Sequence, residues 1–177
     1  MDAEPVDEPV VADLESFVRL RGAALFRYGY VLTGNRHDAA DVVQEALVRV
    51  GARWRRVVAK GNPEAYVRIT MARVHVSRWR RARREHLVDQ VPERGYREVE
   101  LDRVEGDTGL WRALADLPVR QRTVLVLRYY EQRTDEEIAA ALGITRGTVR
   151  SQAARGLDKL RTVWPVRPFA GAVEGDR

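Results

Sequence analysis

The sequence predicts an all-α protein of two small helical domains joined by a flexible linker, and three observations carry that prediction. Apolar residues recur every three or four positions along most of the chain, the period of a helix face, rather than at every second position as on a half-buried strand. This periodicity lapses in an acidic stretch that carries Pro92, Gly95, Gly106 and Gly109. Residues that start or stop helices stand at the ends of the periodic runs. The 177 residues suit one medium domain or two small ones, and the lapse favours two.

Residues 1–11 are expected to be an acidic disordered segment. The first domain, 12–86, opens with a helix whose inner face is Leu14, Val18, Leu25, Tyr28 and Leu32, ended by the turn Thr33-Gly34-Asn35. A second helix places Ala39, Val42, Val43, Ala46, Val50 and Trp54 inward. The third starts at Asn62-Pro63, an N-cap side chain followed by proline at the first helical position, where a missing N–H costs nothing. Its buried face is expected to be Ala65, Ile69, Ala72, Val76 and Trp79. An acidic linker spans 87–109. The second domain, 110–164, has a helix over Leu110–Leu117, a break at Pro118, a helix through about Glu131 and two further helices. Pro165, Pro168 and the glycines beyond them predict a frayed tail over 165–177.

The charge is +5 overall, but its distribution says more than its total. Residues 1–15 hold six acids and no base, whereas residues 49–84 hold twelve Lys/Arg against Glu64 alone. A basic patch of this density suits a polyanionic partner. The chain has no cysteine, so neither a disulfide framework nor a thiolate metal site is available, and a cytoplasmic setting is expected. No apolar run approaches the roughly 18 residues of a membrane span, so membrane insertion is not expected.

The most specific local signal is in the second domain. Thr134-Asp-Glu-Glu137 has the form of a capping box, in which the threonine hydroxyl accepts from the N–H three residues on and Glu137 reaches back to the cap amide. The helix it starts runs through Ile138, Ala139 and Leu142 to Gly143, which can adopt the left-handed conformation of a tight turn. Thr145 then caps a helix with Val149, Ala153, Leu157 and Leu160 inward. Two capped helices about a glycine turn outline a helix-turn-helix, whose second helix enters the major groove. Arg146, Arg150, Ser151, Ala154 and Arg155 would face outward, and an arginine fork matches the O6 and N7 edge of guanine. The plainer reading is a solvated face on an ordinary helical hairpin.

In the first domain, Asp41, Gln44 and Glu45 form an outward acid-amide-acid face on the second helix, suited to a basic protein surface or simply to water. Asp38, Asp41 and Glu45 as metal ligands lack a completing histidine or acid. Residues 62–84 combine Tyr66 and Trp79 with seven arginines, among them Arg68, Arg73, Arg78 and Arg80, a mixture suited to stacking bases and following phosphates. No nucleophile, base and metal residues converge, so no enzymatic activity and no cofactor are expected; His37, His75 and His86 are scattered.

Taken together, DVVQE at 41–45, AYVRITMARVHVSRWRR at 65–81 and the stretch LADLPVRQRTVLVLRYYEQRTDEEIAAALGITRGTVRSQAARGLDKLR make the chain resemble an extracytoplasmic-function sigma factor of the sigma-70 type, most similar to the actinobacterial SigE-like family. The resemblance covers about residues 12–163 and rests on the ordered pair of region 2 and region 4. It implies that Asp41, Gln44 and Glu45 dock on the clamp helices of the largest polymerase subunit, with the flap as a further contact on the core enzyme. It implies that Arg68, Arg73, His75, Arg78 and Arg80 meet and melt the minus-10 element. Arg150, Ser151 and Arg155 would read the minus-35 element, with Arg146 near the phosphates, and an anti-sigma factor is a further implied partner. Two positions depart from relatives: Arg73 stands where many members carry asparagine, and Ala154 stands where some members carry a bulky or aromatic recognition-helix residue. The competing reading is a stand-alone helix-turn-helix regulator whose first half senses a ligand or dimerises.

Overall fold

The computed structural model describes residues 13–86 and 108–163, and the chain divides into two compact units, residues 1–85 and 86–177. The predicted segment 1–11, most of the predicted linker and the predicted tail 165–177 lie outside the described residues. Every regular element described is helical.

The first unit begins with α1, Leu14–Thr33. Asp13 caps it, its carboxylate accepting the Ser16 N–H at 2.7 Å, and Gly34 ends it at φ 71°, where a Cβ would be strained. Phe17, Leu25, Tyr28 and Leu32 are buried, but Val18 is 36% exposed. The inward stripe runs through Phe17 rather than Val18 because the Phe17 ring meets that of Trp54, with centroids 4.9 Å apart. Helix α2, Arg36–Gly51, is capped by Asn35 and buries Ala39, Val42, Ala46 and Val50. It packs on α1 at Gly29, where a Cβ would lie 3.2 Å from the Ala39 carbonyl oxygen and 3.3 Å from Met71 Cε. Trp54 does not continue α2; it opens a short separate helix, α3, Trp54–Val58.

Helix α4, Pro63–His86, starts as expected, with the Asn62 side chain accepting the Ala65 N–H at 2.9 Å. Its buried arc is wider than the predicted stripe. Val67, Met71 and Val74 are buried beside Ala72 and Val76, while Ala65, Ile69 and Trp79 are only partly covered. The reason is that α4 meets two neighbours, α1 at Met71 and α2 through an Arg78–Asp41 ion pair.

In the second unit α5, Thr108–Ala115, begins two residues before the predicted Leu110, inside the stretch assigned to the linker. After Pro118 comes α6, Val119–Leu125, which passes into a π-helical turn over Val126–Tyr130 instead of running on as one α-helix. Glu131 N–H donates to the Val126 carbonyl, five residues back, at 3.1 Å. Val124 to Leu127 are all buried, whereas Tyr129 and Tyr130 beyond them are exposed. Helices α7, Asp135–Leu142, and α8, Arg146–Val163, follow. The Thr134–Glu137 capping box is complete, Gly143 takes φ 63°, and the Thr145 hydroxyl accepts the Thr148 N–H at 3.1 Å. Ile138, Ala139 and Leu142 of α7 and Val149 and Ala153 of α8 are all buried, and the two helices pack on each other.

Helix α8 also packs on α6, and there Gly156 is buried. A Cβ on Gly156 would stand 2.9 Å from Leu125 Cδ1 and 3.4 Å from Gln121 Cβ. Gly147, on the same helix, has nothing closer than Thr145 Oγ1 at 3.8 Å. The two glycines therefore respond oppositely to a side chain. Gly147→Ala should stabilise the second unit by up to ~1 kcal/mol through helix propensity, whereas Gly156→Leu should destabilise it by ~1–3 kcal/mol through overpacking. Denaturant unfolding of the full chain measures both, and equal effects at the two positions would remove the close-packing account.

Candidate nucleic-acid interface

In the second unit the outer face of α8 is built by what its inner face buries. Val149 and Ala153 are inaccessible, so the helical period turns Arg146, Arg150, Ser151, Ala154 and Arg155 outward, and all five are exposed. Two of these arginines are held by acids from the first turn of α7. Arg146 pairs with Glu136 at 2.7 Å, and Arg150 Nε donates to Asp135 Oδ2 at 3.3 Å. The other Asp135 oxygen accepts from Arg128 in the π-helical turn. Asp135 is thus bound between two guanidinium groups, and its side chain is only 18% exposed.

Arg128, Asp135 and Glu136 did not stand out in the sequence. The Asp135–Arg150 pair joins residues fifteen apart on different helices, and only the turn at Gly143 brings them together. The capping acids have local signatures; a cross-helix pair does not.

In the first unit the predicted residues separate into two settings. On α2, Asp41 and Gln44 are exposed and Glu45 is half-buried, and Glu45 pairs with Arg49 one turn on. Gln44 borders an open apolar groove between α1 and α2 lined by Phe26, Val43, Leu47 and Val48. On α4, Arg73 is exposed and Arg80 half-exposed. Arg78 turns toward α2, with one nitrogen 2.7 Å from Asp41 and the other 3.8 Å from Glu45. Arg68 lies inward, paired with Glu64 and with its guanidinium 5.3 Å from the centre of the Tyr28 ring. His75 is buried, 9% exposed, which sets it behind the surface that Arg73 occupies. Trp79 is partly covered, with Arg83 over its ring at 5.4 Å. The face assigned to protein and the face assigned to DNA are therefore joined through Arg78.

Comparison with known proteins gives this geometry its context. Residues 17–85 match the family model for sigma-70 region 2, and residues 113–162 match that for sigma-70 region 4. The RNA polymerase sigma-E factor of Streptomyces coelicolor is 36% identical over 152 residues, 85% of each chain. The chain belongs to the extracytoplasmic-function class of sigma-70 RNA polymerase sigma factors. This sigma factor is also similar to SigE of Mycolicibacterium smegmatis, at 35% identity over 88% of this chain and 63% of that one. It shares its fold with the sigma factor RpoE of Bartonella quintana, solved in complex with the anti-sigma factor NepR, at a TM-score of 0.68 and 22% identity over 88% of this chain and 99% of that one. The presence of both regions sets aside the stand-alone regulator, which needs only the second. Among the described residues no helix is long and apolar enough to cross a membrane, and no three acids or histidines are grouped to hold a metal ion.

Two acids at the start of α7, Asp135 and Glu137, are held low by their hydrogen-bond partners. Asp135 is held below the ordinary carboxylate range, first by the Arg128 hydrogen bond and then by its charge and by Arg150. Glu137 is lowered first by the Thr134 backbone N–H, then by Arg133. A carboxyl lowered by folding contributes stability that is fully present above its unfolded value and is lost as pH falls through the native value. The second unit of the sigma factor should therefore lose stability on acidification below about pH 4.5. Glu137→Gln, which cannot titrate, should flatten part of that loss in melts taken between neutral and acid pH. An unchanged acid limb would show that the capping carboxylate is not responsible.

Proposed function

We propose that this sigma factor divides its work between its two units: the first binds core polymerase and opens the minus-10 element, and the second reads the minus-35 element. The observation that carries the reading is the outer face of α8, where Arg146, Arg150, Ser151 and Arg155 are exposed on the second helix of a helix-turn-helix. A fork such as Arg150 or Arg155 suits a guanine edge, and Arg146, at the helix start, suits a phosphate. On α2, Asp41, Gln44 and Glu45 beside the apolar groove offer the mixed charged and apolar surface that a basic helical partner needs, here the clamp helices of the largest subunit.

On α4 the direct contacts are assigned to Arg73, Arg78 and Arg80. Arg68 and His75, tucked against the helix packing, support that face rather than form it. The dense basic charge over residues 49–84 supplies phosphate attraction that weakens with salt. The protein acts by binding and carries out no catalysis of its own. An anti-sigma protein completes the set of partners, in keeping with the likeness to RpoE of Bartonella quintana, which was solved with one.

Transcription in vitro with bacterial core polymerase on fragmented genomic DNA, with the starts sequenced, tests the reading as a whole. Starts that depend on the sigma factor and share two spaced upstream elements are expected. Within that assay, Arg150→Ala combined with Arg155→Ala should lower promoter-specific initiation by about 10-fold or more, since each good base pair of contacts is worth ~1–3 kcal/mol, while core binding is unchanged. Asp41→Arg combined with Glu45→Arg should lower core affinity instead. Equal loss of core binding in both doubles, or no change in transcription in either, would defeat the division of labour.

A further inference from the structure

The same acid that starts α7 bears on how the recognition helix reads DNA. Asp135 sits between Arg128 of the π-helical turn and Arg150 of α8, one carboxylate oxygen to each. We infer that Asp135 is a specificity-determining positioning residue, which holds the Arg150 guanidinium ready for a base edge, and that Arg128 in turn anchors Asp135. The inference rests on the proposed reading of DNA by Arg150 and deepens it.

Three features of the geometry support this role. First, the bond runs through Arg150 Nε. Donation through that nitrogen leaves the terminal NH1 and NH2 pair free to form the two parallel bonds that a guanine O6 and N7 accept. Second, Asp135 itself is fixed. It is the first residue of a capped helix, its side chain is largely covered, and Arg128 occupies its other oxygen. A fixed acceptor restrains a long side chain that is 65% exposed and would otherwise sample many rotamers. Third, the charges balance in a way that suits DNA. A lone carboxylate beside a reading head would repel phosphates, but Arg128 offsets it, so the Arg128–Asp135–Arg150 trio keeps one net positive charge facing outward. The Arg146–Glu136 pair lacks this arrangement: both side chains are more than half exposed, and among the described residues no second cation pairs with the acid.

Ordering Arg150 in advance should raise discrimination between sequences more than it raises total affinity. Immobilising one long side chain at an interface costs ~0.5–1.5 kcal/mol, so losing the restraint should cost about 2- to 12-fold in preference for the correct base. Removing the Asp135 charge should at the same time leave binding to unrelated DNA unchanged or slightly stronger. A purely structural role predicts the opposite pattern, an equal loss on every sequence.

The test uses holoenzyme assembled from the full-length sigma factor and bacterial core polymerase, bound to a DNA library randomised upstream of a mapped start, with the bound fraction sequenced. Wild type, Asp135→Asn, Arg150→Ala and the double variant are compared, and thermal melts of each report folding. Asp135→Ser, also suited to a helix start, repeats the test should the asparagine variant melt early. The expected result is that Asp135→Asn flattens base preference at the positions flattened by Arg150→Ala, and that the double variant is no flatter than Arg150→Ala alone. Unchanged preferences in Asp135→Asn, with Arg150→Ala still flattened, would overturn the role of Asp135 and leave the reading by Arg150 standing. A uniform loss on all sequences would reduce Asp135 to a structural residue. If Arg150→Ala flattened nothing, the assignment of base reading to Arg150 would fall, and this inference with it.

Discussion

The seating of α8 on α6 and α7 is the constraint on which the second unit depends. Val149, Ala153 and Gly156 occupy the inner side of α8, and burying them decides which side remains for solvent. With a period near 3.6 residues per turn, an inward Val149 and Ala153 send Arg146, Arg150 and Arg155 outward without further instruction. Gly156 sets how closely the helices approach, because any side chain there would strike Leu125. The arginines proposed to read DNA are thus positioned by an apolar surface on the opposite side of the same helix.

The first unit solves a related problem with a glycine on another helix. Gly29 lets α1 come within contact of the α2 backbone at Ala39 and of Met71 on α4, so three helices share one buried point. Helix α4 must bury Val67, Met71 and Val74 and still present a basic face. It does so by turning some cations inward or sideways, with Arg68 against Tyr28 and Arg78 against the acids of α2, and leaving Arg73 outward. Exposed pairs such as Arg78–Asp41 are worth only about 0–1 kcal/mol. They orient side chains at little energetic cost to a partner that displaces them, which makes Arg78 a physical link between the acidic face and the basic one.

Much of the fold was legible because its signals are local. The cap at Asn62-Pro63, the capping box at Thr134, the turn at Gly143 and the cap at Thr145 each depend on residues within four positions of one another, and each stands where the sequence placed it. The structure departs from the local pattern where a helix has more than one neighbour or where a second element intervenes. Val18 gave way to Phe17 because Trp54 waits on a helix of its own. The buried arc of α4 is wider than a single stripe because two partners cover it. The π-helical turn at Val126–Tyr130 left no mark in the apolar period, since the residues before it are buried on every side.

The sequence by itself determined that the chain is helical, where its strongest caps fall, that its bases and acids are segregated, and which outward residues of the helix-turn-helix are basic. These follow from period, cap chemistry and charge, all of which act over one or two turns of chain. Tertiary structure alone decided that His75 is buried, that Arg68 and Arg78 are engaged within the first unit, and that Asp135 is shared between Arg128 and Arg150. Each of these depends on which helices meet and at what separation, a property of packing between residues distant in sequence that no local pattern encodes.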